Sequence, residues 1–252
     1  GLGDVYKRQA IYSTFLQRGY DQFIHDVCLE NIDVTFAIDR AGIVGEDGPT
    51  HTGSFDISFM RCIPNIVISC PSNEHELWHL LNICYEHKGP AAIRYPRGSG
   101  IGVQPIPNEV EGFEIGKAKK IKDGQSVCIL NFGVLMDQID QIAEKKDYTL
   151  YDMRFIKPID QDALEHAMQH ETIITLEDNT LLGGCGSAIG EKLHKQKFKG
   201  NLLSIGLKDE FPAHGSRNEI LRQNGLDEES IQKTIDNFLR NELVTIHWKR
   251  IE

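Results

Sequence analysis

The chain has 252 residues, of which 40% are hydrophobic and 25% charged, as is typical of globular proteins with one large domain or two ordinary ones. Its net charge of -10 argues against nucleic-acid binding, which requires clustered lysine and arginine. No apolar run approaches the ~20 residues of a membrane helix, and the start, GLGDVYKRQ, lacks the apolar stretch of a signal peptide.

Apolar runs of strand length alternate along the chain with segments of helical periodicity. We predict strands at residues 34–38, 66–69, 91–94, 127–131, 149–152, 172–176 and 202–205. We predict helices at residues 14–30, 74–87, 137–144, 161–169, 187–194, 216–223 and 228–239. This alternation predicts an α/β fold of two domains, with mostly parallel sheets flanked by helices.

Glycines and prolines cluster between residues 98 and 116, where the periodicity is lost, so this segment is predicted to be a linker. We place one domain at residues 10–98, the linker at 99–116, a second domain at 117–240 and a tail of no evident role at 241–252. Residues 1–9 have no pattern of their own, and the strand that should precede the first helix is not evident. We therefore interpret residues 1–9 as a foreign junction or a cut end.

The loop DRAGIVGEDGPTH, residues 39–51, follows the first predicted strand and is rich in polar groups. It leaves the carboxyl end of a parallel strand, where open α/β sheets bind their ligands. Its glycines permit close backbone approach, and Arg40 offers a planar fork of donors to an anion. His51 can act as an acid, a base or a donor near neutral pH. The loop thus predicts a binding site, against the alternative of an ordinary polar surface loop.

Two further groups of residues leave alternatives open. Arg94 and Arg97 flank a Tyr-Pro pair after the strand at 91–94. Residues three apart in an extended chain point in opposite directions, so one arginine should bind an anion and the other form a salt bridge. Tyr12, Phe15 and Arg18 share one side of a helix or its entrance. Their spacing alone favours core packing over stacking on a heteroaromatic ring.

Other motifs indicate structure more than chemistry. The glycine-rich segment LLGGCGSAIG at 181–190 fits no phosphate-loop pattern and predicts tight packing of a strand on a helix. His75 and His79 have the i, i+4 spacing of a metal pair, but we interpret them as surface histidines and predict no metal site in the chain. The six cysteines form no C-x-x-C pair and lie mostly in apolar segments. They indicate buried free thiols and a reducing, cytoplasmic setting.

Several long segments together resemble one family. They are YSTFLQRGYDQFIHDV (12–27), FAIDRAGIVGEDGPTHTGSFD (36–56), AAIRYPRG (91–98), DMRFIKPID (152–160) and LLGGCGSAIGE (181–191). They resemble the 1-deoxy-D-xylulose-5-phosphate synthase family, transferases of the transketolase superfamily that use thiamin diphosphate and Mg2+. The similarity runs from about Ala10 to about Leu239. It implies an N-terminally truncated pyrimidine-binding domain followed by a transketolase C-terminal domain.

The resemblance also implies a reaction. Pyruvate and glyceraldehyde 3-phosphate condense to 1-deoxy-D-xylulose 5-phosphate with loss of CO2, giving a precursor of isoprenoids, thiamin and pyridoxal phosphate. The cofactor supplies the electron sink, and the protein supplies placement and electrostatics. Cytoplasmic homodimers that bind neither nucleic acid nor membrane are expected.

The resemblance assigns roles to residues that spacing left open. Tyr12 and Phe15 match the aromatic side chains that line the aminopyrimidine pocket of the cofactor. Arg18 matches an active-site arginine on the same helix. Asp47 and His51 match polar groups that contact the substrate and the cofactor-bound intermediate.

The same comparison assigns the arginines. Arg40 and Arg97 match the pair that holds the substrate phosphate, which suits a dianion because guanidinium groups offer fork-shaped donors. Arg94 is left as the structural partner in a salt bridge.

One departure from the family bears on activity. The glutamate that activates the cofactor belongs to a segment reading roughly GIAEQHA, upstream of the YSTF helix, and nothing in this sequence matches it. The GDG-type motif of the domain that binds the diphosphate and Mg2+ has no match either. We therefore expect the chain alone, as a C-terminal fragment, to have no synthase activity.

Two alternatives remain open. The first is another transketolase-like enzyme or the β chain of a 2-oxoacid dehydrogenase, although a β chain would keep its glutamate and the DRAGIVG and RYPRG motifs disfavour it. The second is a non-catalytic binding or assembly module. Such a module should have lost the substrate groups, yet Arg40, Asp47, His51 and Arg97 are all present.

Overall fold

The computed structural model describes residues 8–103 and 113–240. The strands are β1 (Arg8–Tyr12), β2 (Thr35–Asp39), β3 (Val67–Ser69), β4 (Ala91–Arg94), β5 (Lys119–Lys122), β6 (Val127–Phe132), β7 (Thr149–Asp152), β8 (Phe155–Lys157), β9 (Thr172–Thr180) and β10 (Asn201–Leu207). The helices are α1 (Ser13–Leu16), α2 (Tyr20–Gln22), α3 (Asp56–Met60), α4 (Glu74–Glu86), α5 (Met136–Lys146), α6 (Gln161–Ala167), α7 (Cys185–Lys195), α8 (Arg217–Gln223) and α9 (Glu228–Leu239). The tail at 241–252 and most of the predicted junction and linker lie outside the described residues.

Two five-stranded sheets form the molecule, in the orders β1-β2-β4-β3-β8 and β10-β9-β6-β7-β5. Within each sheet four strands are parallel, and the edge strands β8 and β5 are antiparallel to their neighbours. The predicted α/β class, with mostly parallel sheets flanked by helices, is confirmed. Strand β8 comes from the second half of the chain but completes the sheet of the first half.

The strand that seemed to be missing before the first helix is present. Strand β1 pairs in parallel with β2, with Ala10 opposite Ala37, and it includes Arg8 and Gln9. Residues 8 and 9, which we assigned to the junction or cut end, thus form the start of this strand. The strand escaped notice because it lies at a sheet edge, where Arg8, Gln9 and Ala10 are exposed and show no apolar alternation.

The helix predicted at 14–30 begins at Ser13 and ends at Cys28, with a 3-10 turn (Gln17–Gly19) and a π-helical segment (Phe23–Cys28) along it. Helix α3 was not predicted, because five residues are too few to show a helical period. Strands β5 and β8 were not predicted either, since both are short edge strands.

One apolar cluster joins the two sheets. It combines Phe36 and Met60 from the first half with Phe132, Ile156 and Cys185 from the second, all of them buried. The halves therefore share a core. The cysteines are all free, and five of the six are buried, with Cys62 exposed, which confirms the interpretation of buried thiols. Within residues 8–103 and 113–240, no helix has the length and apolarity needed to cross a membrane.

The surface interpretation of the histidine pair was wrong for His79. Its ring is buried and stacks on Phe113 at 4.4 Å between centroids. Phe113 lies far along the chain, so the i, i+4 spacing of His75 and His79 on α4 gave no sign of this partner.

Candidate functional site

The carboxyl ends of three neighbouring strands form the site. Tyr12 ends β1, the loop at 39–51 follows β2, and Arg97 follows β4. Backbone hydrogen bonds hold the loop against the end of β4, because Ala41 N donates to the carbonyl of Tyr95 at 3.0 Å. The parallel order of the sheet thus brings together segments that are distant in sequence.

The loop is closed by a short bridge between Gly42 and Gly53. Each residue donates its N–H to the carbonyl of the other, at 2.9 and 3.0 Å. A Cβ at residue 53 would lie 2.1 Å from the carbonyl oxygen of Arg40, and one at residue 42 would lie 2.0 Å from Asp178 Oδ2. Only glycine fits at these two positions; Gly42 belongs to the loop whose glycines were predicted to allow close backbone approach, and Gly53 lies just beyond that loop.

Asp47 holds two arginines on one carboxylate oxygen. Its Oδ2 accepts a hydrogen bond from Arg40 Nε at 3.0 Å and lies 3.1 Å from Arg97 Nε. Asp39 fixes the other edge of Arg40, with Oδ2 at 2.8 Å from Nη1, and Glu46 lies 3.9 Å from Arg97. The two guanidinium groups therefore stand side by side in a partly exposed position, where an anion can reach them.

An aromatic surface adjoins these arginines. The Arg40 guanidinium carbon lies 3.9 Å from the centroid of the Tyr12 ring. Tyr12 and Phe15 stack with centroids 5.5 Å apart and an interplanar angle of 13°, and Phe15 meets His51 edge-on at 5.6 Å. Phe15 is 41% exposed, which is unusual for a phenylalanine whose only role is core packing. Arg18 lies at the margin, with its guanidinium carbon 6.0 Å from the Phe15 ring.

The structure therefore brings six of the seven predicted site residues into one continuous chain of contacts, with Arg18 beside it. These six residues are Tyr12, Phe15, Arg40, Asp47, His51 and Arg97. The two arginines of the RYPRG motif lie in different surroundings. Arg97 faces the loop, is partly exposed and pairs with Asp47, whereas Arg94 is 3% exposed and pairs with Asp56 and Asp178.

A buried ion triad packs against the loop at Gly42, and it was not predicted from the sequence. Arg94 Nε lies 3.1 Å from both carboxylate oxygens of Asp56, and Arg94 Nη1 donates to Asp178 Oδ1 at 2.7 Å. Asp178 belongs to the second half of the chain and also touches the backbone position of Gly42. One signal was available, because Asp56 is a charged residue within the apolar run SFDISFM.

In the glycine-rich segment after β9, a side chain of the protein itself fills the place where an anion would bind. Glu177 accepts hydrogen bonds from the N–H groups of Cys185 and Gly186, each at 2.8 Å, at the start of α7. A Cβ at Gly184 would lie 2.3 Å from the same carboxylate. Tight packing, which we predicted in preference to phosphate binding, is confirmed, since the carboxylate takes the place that an anion would need.

Asp152, at the end of β7, gives a stability prediction. Burial, together with repulsion from Glu76, raises the pKa of its carboxyl to about 7, although Ser72 donates a hydrogen bond to it. The folded state thus binds its proton more tightly than the unfolded chain does. Its contribution to stability is complete below about pH 4 and is lost as the pH rises to about 7.

We expect the Asp152→Asn variant to exceed the parent in stability at pH 8 by at least about 1.4 kcal/mol, the free energy of one pKa unit. The two should have similar stability at pH 4. Urea denaturation across this range measures the difference. Burial also raises the pKa of Glu177 to about 7, and Glu177 is unchanged in the variant. The loss of stability with rising pH should therefore be smaller in the variant than in the parent, but still present. Equal stabilities at pH 8 would contradict the prediction.

The residues present fit the pyrimidine half of thiamin diphosphate. The rings of Tyr12 and Phe15 stack, and the exposed Phe15 ring offers a face to a heteroaromatic ring, with polar groups next to it. No cluster of three or more His, Cys, Asp or Glu residues in the described parts of the chain is placed to hold a metal ion.

Comparisons with known proteins agree with this arrangement. Residues 7–101 match the transketolase pyrimidine-binding domain, and residues 116–231 match the transketolase C-terminal domain. Over 92% of its length the chain is 50% identical to 1-deoxy-D-xylulose-5-phosphate synthase of Idiomarina loihiensis and 52% identical to that of Mannheimia succiniciproducens. It spans only 37% of the length of either relative.

Two solved structures share the fold. A split-gene transketolase, described as an inactive β4 tetramer, superposes with a TM-score of 0.81 at 23% identity, covering 94% of this chain and 76% of that one. Transketolase of Campylobacter jejuni gives a TM-score of 0.68 at 19% identity, covering 93% of this chain and 35% of that one. With its two transketolase domains the chain belongs to the transketolase superfamily, and the curated relatives to which it is similar are 1-deoxy-D-xylulose-5-phosphate synthases.

Proposed function

We propose that the chain supplies the acceptor side of the active site of a thiamin-diphosphate-dependent synthase. The whole enzyme would condense pyruvate with glyceraldehyde 3-phosphate to 1-deoxy-D-xylulose 5-phosphate, with loss of CO2. One observation carries the proposal: two arginines share a carboxylate directly beside a stacked aromatic pair whose Phe15 ring is exposed. A phosphorylated substrate and a ring-shaped cofactor could thus be held side by side.

The aromatic pair would hold the cofactor's pyrimidine ring. Tyr12 is fixed by the end of β1 and by Arg40 above its ring, so Phe15 presents a preformed face. When bound, thiamin diphosphate supplies the electron sink that the decarboxylation of pyruvate requires. The Mg2+ and the diphosphate would be held by the part of the synthase that this chain does not match.

Arg40 and Arg97 would bind the phosphate of glyceraldehyde 3-phosphate. Asp47 holds both guanidinium groups in place before the substrate arrives, which lowers the entropic cost of binding. Nδ1 of His51 lies 3.0 Å from the hydroxyl of Thr50, so its other ring nitrogen can face a substrate oxygen. Arg18, at the exposed margin, would add positive charge near the carboxylate of pyruvate.

Removal of either phosphate arginine should weaken the binding of glyceraldehyde 3-phosphate at the loop. We expect Arg40→Gln and Arg97→Gln each to raise Kd about tenfold or more, because a charge-assisted hydrogen bond is lost. The amide NMR shifts of Arg40, Gly42, Asp47 and Gly48 during the titration report on binding at the loop. Arg8→Gln is the matched control, since Arg8 lies at the opposite end of β1, over Tyr85. Unchanged Kd values in both loop variants would refute the assignment of the arginines.

We also propose that this polypeptide does not turn over alone, because no residue in its sequence matches the activating glutamate of the family. An assay of the chain with pyruvate, glyceraldehyde 3-phosphate, thiamin diphosphate and Mg2+ should show no product. Addition of the N-terminal part of the Idiomarina loihiensis synthase should restore activity, and the variants His51→Ala and Arg40→Gln should lower it. Turnover by the chain alone would contradict the proposal.

Restored activity would also argue against the alternative of a non-catalytic module. A homodimeric assembly and a cytoplasmic location are part of the same proposal. Sedimentation of the restored enzyme would test the first, and imaging of the tagged protein in cells would test the second.

A further inference from the structure

Three carboxylates lie beside the two arginines of the loop, and they do not contact them in the same way. Asp39 and Asp47 accept hydrogen bonds from Arg40 at 2.8 and 3.0 Å. Asp47 Oδ2 also lies 3.1 Å from Arg97 Nε. Glu46 Oε2 lies 3.9 Å from Arg97 Nη1, which is longer than a hydrogen bond. The Glu46 carboxylate therefore attracts the guanidinium group without fixing its orientation.

Glu46 also differs from the two aspartates in exposure. Its side chain is 72% exposed, against 29% and 24% for the aspartates. The backbone below it is fixed by a single 3-10 turn, Gly45–Asp47, which is closed by a hydrogen bond from Gly48 N to Gly45 O at 3.0 Å. The backbone thus keeps the carboxylate near Arg97, while solvent around the side chain leaves it room to turn away.

Arg97 has more of its donors available to a substrate than Arg40 has. Arg40 already donates from Nε to Asp47 and from Nη1 to Asp39. Arg97 uses Nε for its contact with Asp47, so Nη1 and Nη2 are the pair that can hold two oxygens of a phosphate. Glu46 lies at one of these two nitrogens. A bound phosphate and the Glu46 carboxylate would therefore meet at the same group.

The charges around the loop indicate the direction of the effect. The carboxylates outnumber the guanidinium groups, so a dianionic phosphate enters a site with a small negative excess. Loss of the charge of Asp39 or Asp47 would also remove a hydrogen bond that orients Arg40. Loss of the charge of Glu46 removes no such bond. At Glu46, charge can therefore be changed without disturbing how the arginines are oriented.

We propose that Glu46 is a specificity-determining residue, which competes with the substrate phosphate for Arg97 and so limits the preference of the loop for phosphorylated over unphosphorylated aldehydes. This inference rests on the proposed function, because it takes the phosphate to bind at Arg40 and Arg97. The incoming phosphate displaces the Glu46 carboxylate, which turns into solvent. The product of the proposed reaction carries the same phosphate group, so the competition also favours its release.

Glu46→Gln tests the inference, because it removes the charge and nearly preserves the size of the side chain. Titration of the full chain with glyceraldehyde 3-phosphate, followed by the amide NMR shifts of the loop, should give a Kd about threefold to tenfold lower than that of the parent. The Kd for D-glyceraldehyde should change by less than about twofold, since an uncharged ligand is not repelled by a carboxylate. Glu86→Gln is the matched control, because Glu86 is exposed at the carboxyl end of α4.

Salt and a second substitution separate competition for Arg97 from other effects. Exposed charges are screened over about 3 Å at 1 M salt, so the gain in affinity from Glu46→Gln should fall below about twofold there. The gain should also fall when Glu46→Gln is combined with Arg97→Gln, because the carboxylate then has no guanidinium group to compete for. Thermal melts confirm that each variant is folded before it is titrated.

The possible outcomes distinguish this inference from the proposed function. Absence of glyceraldehyde 3-phosphate binding at the loop of the parent would overturn both. If the parent binds it and Glu46→Gln binds it equally or more weakly, only the inference fails, since Glu46 would then be neutral or would orient Arg97. A gain that is undiminished in the presence of Arg97→Gln would overturn the inference as well.

Discussion

Replacement of Arg94 with leucine should lower the free energy of unfolding by about 3–5 kcal/mol, since it leaves two buried carboxylates without their cation. Asp56 and Asp178 are 0% and 1% exposed, so water cannot take over the role of the arginine. Urea denaturation at neutral pH measures the loss. Lys88→Leu is the matched control, because Lys88 pairs with Asp33 at 3.5 Å with 78% of its side chain exposed, and such pairs contribute about 0–1 kcal/mol.

If Arg94→Leu lowers the free energy of unfolding no more than Lys88→Leu does, the triad does not contribute to stability as its burial implies. The effect should also reach the loop. The Asp178 carboxylate lies against Gly42. Without its hydrogen bond from Arg94, this carboxylate can shift and displace the loop backbone. We therefore expect the NMR signals of the loop to shift in this variant even under conditions where the chain stays folded.

The second large effect is expected from Gly53→Ala. The added methyl group would lie 2.1 Å from the carbonyl oxygen of Arg40, and backbone cannot give way as a flexible side chain can. We expect a loss of about 1–3 kcal/mol or more in stability, as for other overpacked sites. The bridge between Gly42 and Gly53 should break, and with it the placement of Arg40 beside Asp47.

Gly19→Ala is the natural control for this prediction. A Cβ at Gly19 meets nothing within 4 Å, and its φ of -100° suits any residue. Thermal unfolding and titration with glyceraldehyde 3-phosphate should separate the two variants, with only Gly53→Ala losing phosphate binding at the loop. Similar behaviour of both would show that the bridge does not determine the geometry of the loop.

The sequence predicted the fold well where burial is regular. The strands at 91–94 and 149–152 were predicted to the residue, and every residue in them is buried. Edge strands behaved differently. Strand β1 begins with Arg8, Gln9 and Ala10, all exposed, so its hydrophobic pattern is too weak to indicate a strand.

The site was predicted in part for a similar reason. Position after buried parallel strands indicated the loop and the pair of Arg94 and Arg97, without deciding which of the two binds an anion. Periodicity assigned Tyr12 and Phe15 to the core. Only the resemblance to a family suggested a binding role, and the exposure of Phe15 agrees with it. The triad of Arg94, Asp56 and Asp178 could not be assembled from one sequence, because its last member lies 84 positions along the chain from Arg94.

Strand β8 has a consequence for how the molecule can be divided. Its residues 155–157 lie in the chain between β7 and β9 of the second sheet. They nevertheless form the fifth strand of the first sheet, beside β3. Neither half is therefore a self-sufficient folding unit, although each matches a separate family model. Heat or denaturant should melt both sheets in one cooperative transition, and a chain ended at residue 103 would leave the β3 edge unpaired and prone to self-association.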